Sequence, residues 1–358
     1  MKLGILAALF LAPILAAEDS AQALNNLGAQ RYFEGRYAEA ESLYARALAE
    51  WRKSADRRGE VRTMNNLAVV YRAEGRYSEA ESLYLEALRT IETPATLNNL
   101  AELYRVRGDA RRAEKYAQRA ITTGAEVSGP ESPAVADGLH TLAAIRRDVG
   151  RFDDALRDYG RSRAMVEKIY GPHDARIARN LANVSEILAA TGKYAEAESA
   201  SRRALAIAEP NSSLAAQAAN NLAQALRFEH HYEEAESLYR RAIAIWEGSP
   251  DAARARANLG GLYHDQGKEP RAVEQYTLAL VALRNAVGPD SAEVALLETR
   301  LADVRRAQGR FAESLRLYGS SMPLLEKSLG PQDPRLANVR TEFQRALREA
   351  RHFTLPVN

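Results

Sequence analysis

The side chains able to do chemistry in this 358-residue chain are histidines, carboxylates, asparagines and arginines, because it contains no cysteine. That absence excludes disulfide frameworks, thiolate metal sites, iron–sulfur clusters and cysteine nucleophiles together. The six histidines are His140, His173, His230, His231, His264 and His352. A metal or acid–base role for the His230-His231 pair, with His264 from the next unit, needs carboxylate or water partners at set distances. No glycine-rich phosphate loop, HExxH or GxSxG occurs. Carboxylates recur in EAE triplets such as Glu39/Glu41 and Glu79/Glu81. Two residues apart on a helix they do not face one another, whereas glycosidic chemistry needs two facing carboxyl groups. Solvated helix faces are the plainer expectation for them. The chain reads as non-enzymatic, with no metal or cofactor.

Two polar rows offer more. Asparagines stand at Asn25, Asn26, Asn65, Asn66, Asn98, Asn99, Asn183, Asn220, Asn221 and Asn258, most of them just before a Leu-Ala or Leu-Gly pair. A carboxamide both donates and accepts, as an extended main chain requires. The same groups can instead tie neighbouring helices together, and the two roles are compatible. Further along the same face come Arg72, Arg105, Arg147, Arg227 and Arg306 at one register, with Arg62, Arg179, Arg254 and Arg300 pointing roughly the same way. Opposing acids are fewer: Glu102, Asp148, Glu186, Asp265 and Asp303. Arginine binds carboxylates bidentately, so this row favours acidic peptides or a free C-terminal carboxylate. Pairing with acids of the neighbouring repeat is the other reading. Tyr32, Phe33 and Phe228 can supply apolar pockets nearby.

Composition bounds the partners. The formal net charge is +2, with 27% charged and 46% hydrophobic residues. So balanced a chain has no global pull toward nucleic acid or anionic lipid. Residues 1–17 stand apart: Lys2 is their only charge, Leu3–Leu15 is apolar, and Ala16-Ala17 precedes Glu18-Asp19. A cationic start, a short apolar run and small exit residues read as a secretory signal. The run is too short to span a membrane. We expect residues 1–17 to be removed and the protein to be exported, periplasmic or secreted, with no membrane insertion thereafter. Its oligomeric state is not legible.

Positioning the two rows requires a repeating scaffold, and one is written into the sequence. The octet YAEAESLY at Tyr37–Tyr44 returns as YSEAESLY at Tyr77 and YEEAESLY at Tyr232, each preceded by an NNL segment. Turn positions fall at Gly35, Gly75, Gly108, Gly150, Gly192, His230, Gly267 and Gly309, so there are eight units. In the second, Met64, Leu67, Ala68 and Tyr71 form one helical stripe and Ala80, Leu83, Tyr84, Ala87 and Leu88 another, with Gly75 between them. Each unit is thus a helical hairpin that buries its apolar face only by stacking on its neighbours. Four Gly-Pro inserts, at Gly129, Gly171, Gly288 and Gly330, accompany the longer spacings of 42 residues. The expectation is that they lengthen the loop and the following first helix. Arg146, Ser162, Pro270, Ser314 and Ser321 depart from the pattern, which predicts looser packing in units four, seven and eight.

The series Leu67-Ala68, Tyr71, Gly75, Tyr77, Ala80, Tyr84, Ala87 resembles the tetratricopeptide repeat. The NNLA openings and Gly-Pro linkers are similar to the longer repeats of kinesin light chains and related bacterial proteins. The resemblance covers about residues 21–318. It implies an all-α solenoid, residues 18–333, whose eight hairpins form a right-handed superhelix with the first helices lining the concave side. Residues 334–358 then supply a capping helix over Arg335–His352 and a short tail. By the same resemblance Asn26, Asn66, Asn99, Asn183, Asn221 and Asn258 inherit contact with the backbone of a bound extended peptide.

The candidate groove therefore comprises Asn26, Asn65, Asn66, Arg72, Asn98, Asn99, Arg105, Arg147, Asn183, Asn221, Arg227 and Asn258. The function expected is a non-catalytic scaffold binding an extended, acidic segment of a partner protein. An accessory subunit of an envelope or secreted complex, docked through its convex or terminal surface, is the alternative.

Overall fold

A computed structural model describes residues 20–354, so the segment read as a signal lies outside the described residues, as do 355–358 of the expected tail. The described chain is helical with no strand among its residues. Helix α1 covers residues 20–33. It is followed by α2 (Tyr37–Ser54), α3 (Arg57–Ala73), α4 (Tyr77–Thr90), α5 (Pro94–Val106), α6 (Ala110–Ser128), α7 (Pro133–Asp148) and α8 (Phe152–Tyr170). Then come α9 (Ala175–Ala190), α10 (Tyr194–Ile207), α11 (Ser213–Phe228), α12 (Tyr232–Ile245), α13 (Pro250–Asp265), α14 (Glu269–Val287), α15 (Ala292–Ala307), α16 (Phe311–Leu329) and α17 (Pro334–Thr354). The chain divides into two compact units, one ending at Asp174 and the other beginning at Ala175. The first holds α1–α8, four hairpins. The second holds four more, with α17 after them.

Every turn anchor read from the sequence adopts positive φ, from 65° to 78°, His230 included. In the second hairpin Arg76 N–H returns to the Tyr71 carbonyl at 2.8 Å and Gly75 N–H to that of Arg72 at 3.1 Å, closing α3 with the bond pair of a left-handed C-cap. Between the helices, Ala80, Tyr84 and Ala87 are fully buried. The small residue after the leucine that recurs in the first helices admits the tyrosine of the second helix: a Cβ on Gly28 would meet the Tyr44 ring at 2.9 Å, and one on Gly260 the Tyr276 ring at 2.9 Å.

Within each unit the first helices make a continuous layer, with α3 on α5 and α5 on α7, then α9, α11, α13, α15 and α17 in succession. The second helices of each unit pack on first helices, their own and the one that follows in that unit, and on no other second helix among the described residues. Helix α17 occupies the place of a ninth first helix. It buries Leu336, Val339 and Ala346 against Tyr318 and Leu325.

Two expectations are corrected. The 42-residue spacings come from the second helix, not from the loop and next first helix. Helices α6, α8, α14 and α16 each run 19 residues to their Gly-Pro, against 14 for α4, α10 and α12. Nor do the departures leave gaps. Arg146, at the register of Tyr71, pairs with the buried Asp158 on α8 and with Glu114 at 3.1 Å. Ser162 Oγ donates to the Ala136 carbonyl at 2.8 Å and Ser321 Oγ to Glu298 at 2.8 Å. Pro270 sits in the first turn of α14, where its missing N–H has no partner to lose. Ser314 alone of this set buries a hydroxyl without a partner.

Candidate functional site: the layer of first helices

Both polar rows lie on the first helices, and the structure shows what each side chain touches. In the first unit Asn66 Nδ2 donates to Asn25 Oδ1 at 3.0 Å, and Thr63 Oγ1 donates to the same oxygen at 3.1 Å. Asn65 Nδ2 reaches the Val61 carbonyl at 3.1 Å and Thr96 Oγ1 at 2.7 Å. Asn26 accepts from Gln22 at 2.6 Å. In the second unit Asn221 Nδ2 donates to the Ala182 carbonyl at 2.9 Å, and Asn258 Nδ2 to Asn220 Oδ1 at 3.1 Å. Asn183 lies in the same row, with the Gln217 amide 3.5 Å from its oxygen. The amides thus stitch first helix to first helix. Asn65 and Asn221 use Nδ2 twice, Asn221 also reaching Ser185 Oγ at 3.2 Å.

The α3–α5 stretch is the exception. Asn99 has no hydrogen-bond partner among the described residues, while Asn98 Oδ1 and Arg72 Nε are buried without one. The nearest acid to Arg72 is Glu102, at 3.8 Å.

The other arginines of the row are matched by acids. Arg105 forms a two-pronged pair with Glu102, at 2.7 and 2.8 Å, and also contacts Asp148 of the next hairpin. Burial works to raise the Glu102 pKa, but Arg105 and then Arg72 outweigh it and hold the carboxyl below its ordinary value. Arg147 bonds Asp148 at 2.9 Å. Arg227 crosses α13 over Gly261 to reach Asp265 at 2.5 Å, and a Cβ on Gly261 would strike its guanidinium at 2.5 Å. Arg306 takes Glu349 at 3.1 Å and Glu342 at 3.5 Å from α17. The row alternates in sign along the layer instead of forming a cationic stripe.

Among the apolar candidates, Phe33 is 86% exposed with its ring edge-on to Tyr32, and Phe228 stacks on Tyr194 with ring centroids 4.6 Å apart. The histidines are not assembled. His264 bonds Glu269 at 2.9 Å, His230 bonds the Tyr232 hydroxyl at 2.6 Å, and His140 packs edge-on against Tyr159. Among the described residues no group of three potential ligands is placed to hold a metal ion.

The EAE triplets are where residue reading fell short. Their second glutamate is not a solvated group but a bolt to the next hairpin. Tyr71 donates to Glu41 at 2.9 Å, Tyr104 to Glu81 at 2.5 Å and Tyr263 to Glu236 at 2.7 Å. Arg146 takes the tyrosine's place on Glu114. Burial, with the Glu81 bond adding to it, pushes the Tyr104 hydroxyl up to about 12. The recurrence of tyrosine four residues before the turn was the available signal.

Comparison with known proteins agrees with this architecture. Tetratricopeptide repeat family models match residues 19–93, 95–134, 135–209 and 214–285. No curated protein matches the sequence significantly. Among solved structures, the apo form of the quorum sensor NprR from B. thuringiensis superposes with a TM-score of 0.60 at 15% identity, over 88% of this chain and 99% of that one. Apo RapI gives 0.59 at 18% identity, over 75% and 98%. BtubC (BKLC) from P. vanneervenii gives 0.47 at 24% identity, over 65% and 89%. The likenesses to NprR and RapI speak to the fold. The chain belongs to the tetratricopeptide repeat family.

Proposed function

We propose that this protein is a non-catalytic scaffold that holds an extended segment of a partner protein against its layer of first helices. The observation that carries the reading is the unmet hydrogen-bonding capacity on α3 and α5: Asn99, Asn98 Oδ1 and Arg72 Nε. Leaving a buried polar group unpaired costs about 1–3 kcal/mol. An extended main chain carries donors and acceptors in alternation and can meet the partly exposed Asn99 amide. Asn26, Asn66, Asn183, Asn221 and Asn258 stand at the same register on the other first helices and extend the grip along the layer. Acid selection by the arginine row then rests on Arg72, since Arg105, Arg147 and Arg227 already hold acids. Protein is the proposed partner rather than nucleic acid, given a net charge of +2.

Export rests on residues 1–17 alone, and N-terminal sequencing of the native protein tests it. Among the described residues no helix is long and apolar enough to cross a membrane.

The binding test is capture of partners from the native fraction by the wild type and by a variant carrying Asn66→Ala, Arg72→Ala and Asn99→Ala. Partners lost from the variant, with helicity and melting temperature nearly kept, support the scaffold. Retained partners move the function elsewhere.

A second reading, an accessory subunit docked through its outer layer, draws on α14. Leu278 and Val281 are exposed there, and Arg46, Glu86, Arg119, Arg161, Arg203 and Arg241 stand at the register of Leu278 in other hairpins.

A further inference from the structure

Helix α17 stands as a ninth first helix, and no second helix follows it among the described residues. Pro334 opens it as Ala292, 42 residues earlier, opens α15. In α15 the positions Glu298 and Ala302 are covered by α16: Ser321 Oγ donates to Glu298 at 2.8 Å, and Ala302 shares a buried cluster with Tyr318. On α17 the same positions are Arg340 and Gln344, and both are exposed. With Thr341 and Arg348 they line an open groove of about 380 Å³. That groove is the place a ninth second helix would take.

A terminal helix must be polar on its free side to end a repeat array, but polarity alone does not require a single sign. Arg335, Arg340, Arg345, Arg348 and Arg351 are all exposed on α17. Its two acids, Glu342 and Glu349, are half-buried and approach Arg306 at 3.5 and 3.1 Å. Asp333 holds Arg335 at 2.8 Å, and Glu349 also reaches Arg345 at 3.1 Å. Arg340 meets the exposed Glu326 at 3.2 Å. One hairpin earlier the same two positions hold Arg284 and Glu298 with the charges exchanged, and there α16 supplies the further bond from Ser321. Arg340 has no second helix to supply its counterpart, and Arg348 meets no acid at salt-bridge distance among the described residues. In a chain of net charge +2, this face concentrates one sign.

We propose that the free face of α17 docks an acidic helix of a partner protein, laid along the groove as a ninth second helix. This interface stands apart from the first-helix reading, and either can hold without the other. Arg340 and Arg348 lie eight residues apart, about 12 Å along the axis. An opposing helix meets both with carboxylates seven residues apart on one of its faces. Gln344, standing where Ala302 packs with Tyr318, leaves no room for a tyrosine and calls for a polar or aliphatic side chain between the two acids. An anionic bilayer fits less well, because Leu336, Val339 and Ala346 are buried in the fold and have no free apolar face to insert.

The chain has no cysteine, so Thr341→Cys in the groove and Gln118→Cys on α6 each carry a single environment-sensitive fluorophore. Each labelled full chain, its fold verified by circular dichroism, is titrated at low salt with three helical peptides. The first is acetyl-Ala-Ala-Glu-Ala-Ala-Leu-Gln-Ala-Ala-Glu-Ala-Ala-Ala-Ala-amide, with both acids on one face. The second carries Gln for both Glu, a change that helix propensity barely registers. The third keeps the charge but exchanges the second Glu with the Ala two positions before it, turning that acid to another face. The first peptide should bind about threefold to thirtyfold tighter than the other two, the span of two exposed ion pairs. The signal should come from the Thr341→Cys label and not from the Gln118→Cys label. Arg340→Gln with Arg348→Gln should abolish the preference. Arg348→Gln alone, whose guanidinium holds no acid in the fold, should lose part of it and serves if the double variant does not fold.

Equal binding of the three peptides, a preference that survives the arginine substitutions, or no signal in the millimolar range overturns the proposal and leaves α17 a cap only. Tighter binding to phosphatidylglycerol vesicles than to the first peptide also overturns it and gives the face to a membrane. So does a concentration-dependent dimer that Arg348→Gln abolishes, which gives it to a second copy of the chain. The Asn66/Arg72/Asn99 variant leaves α17 intact, so partner loss there and peptide failure here are separate results.

Discussion

The Tyr71 hydroxyl donates to a Glu41 carboxylate oxygen at 2.9 Å, across the joint between the first and second hairpins. Arg76 approaches the same carboxylate at 2.8 Å. It is the largest of the influences that hold Glu41 below its ordinary pKa, against the opposing effect of burial. Tyr71→Phe should destabilise the chain by about 1 kcal/mol, the typical net value of one hydrogen bond. A double-mutant cycle with Glu41→Gln should show the two changes to be non-additive. Because the folded pKa of Glu41 is depressed, its contribution is present above the unfolded carboxylate value and lost as pH falls through the folded one. Urea denaturation of wild type and Tyr71→Phe should therefore converge in acid.

His230 is the one turn anchor that is not glycine, and it sits at φ 65°. A left-handed conformation costs an L-residue about 1–2 kcal/mol, a penalty glycine escapes. His230→Gly should raise the melting temperature despite the greater freedom of the unfolded chain. An unchanged or lower value would mean that the bond from His230 Nδ1 to the Tyr232 hydroxyl outweighs the strain.

Burial raises the pKa of Asp303 above its ordinary value, and this outweighs the bond it accepts from Tyr318. A carboxyl with a raised folded pKa favours the fold fully below its unfolded pKa and loses that contribution as pH rises through the folded value. Asp303→Asn keeps an acceptor for Tyr318 and removes the buried charge. Its thermal stability should exceed wild type at pH 7, with the difference shrinking toward pH 4.

Gly59 opens the first turns of α3 directly against Trp51, where an added Cβ would lie 2.4 Å from the indole ring. Both elements are packed, so neither side has room to yield cheaply. Gly59→Ala should destabilise by about 1–3 kcal/mol, as overpacking does. Trp51 fluorescence reports the displacement.

The hairpins, their turn anchors and the buried small residues were legible because each is a local pattern repeated eight times. Gly75 ends a helix wherever its neighbours stack, and Ala80 and Ala87 announce close approach on their own. The bolts were less legible, because Glu41 and Tyr71 lie 30 residues apart on different hairpins and no helical period links them. The arginine row misled for the same reason. Counting Arg105 and Arg227 gives a cationic stripe, whereas Asp148 and Asp265 come from the following hairpin to meet them. Helix length was misassigned because Gly129 marks where α6 ends but says nothing of which element the extra residues extend.

The central claim, that a partner segment lies on the first-helix layer, is tested most directly by photo-crosslinking from single positions. A benzophenone side chain at Val69, on α3, reports that layer; one at Gln118, exposed on α6, reports the outer one. With both variants folded and exposed to the native fraction, the account predicts a discrete partner adduct from Val69 that the Asn66/Arg72/Asn99 substitutions abolish, and none from Gln118. An adduct from Gln118 that survives those substitutions, with none from Val69, would contradict it.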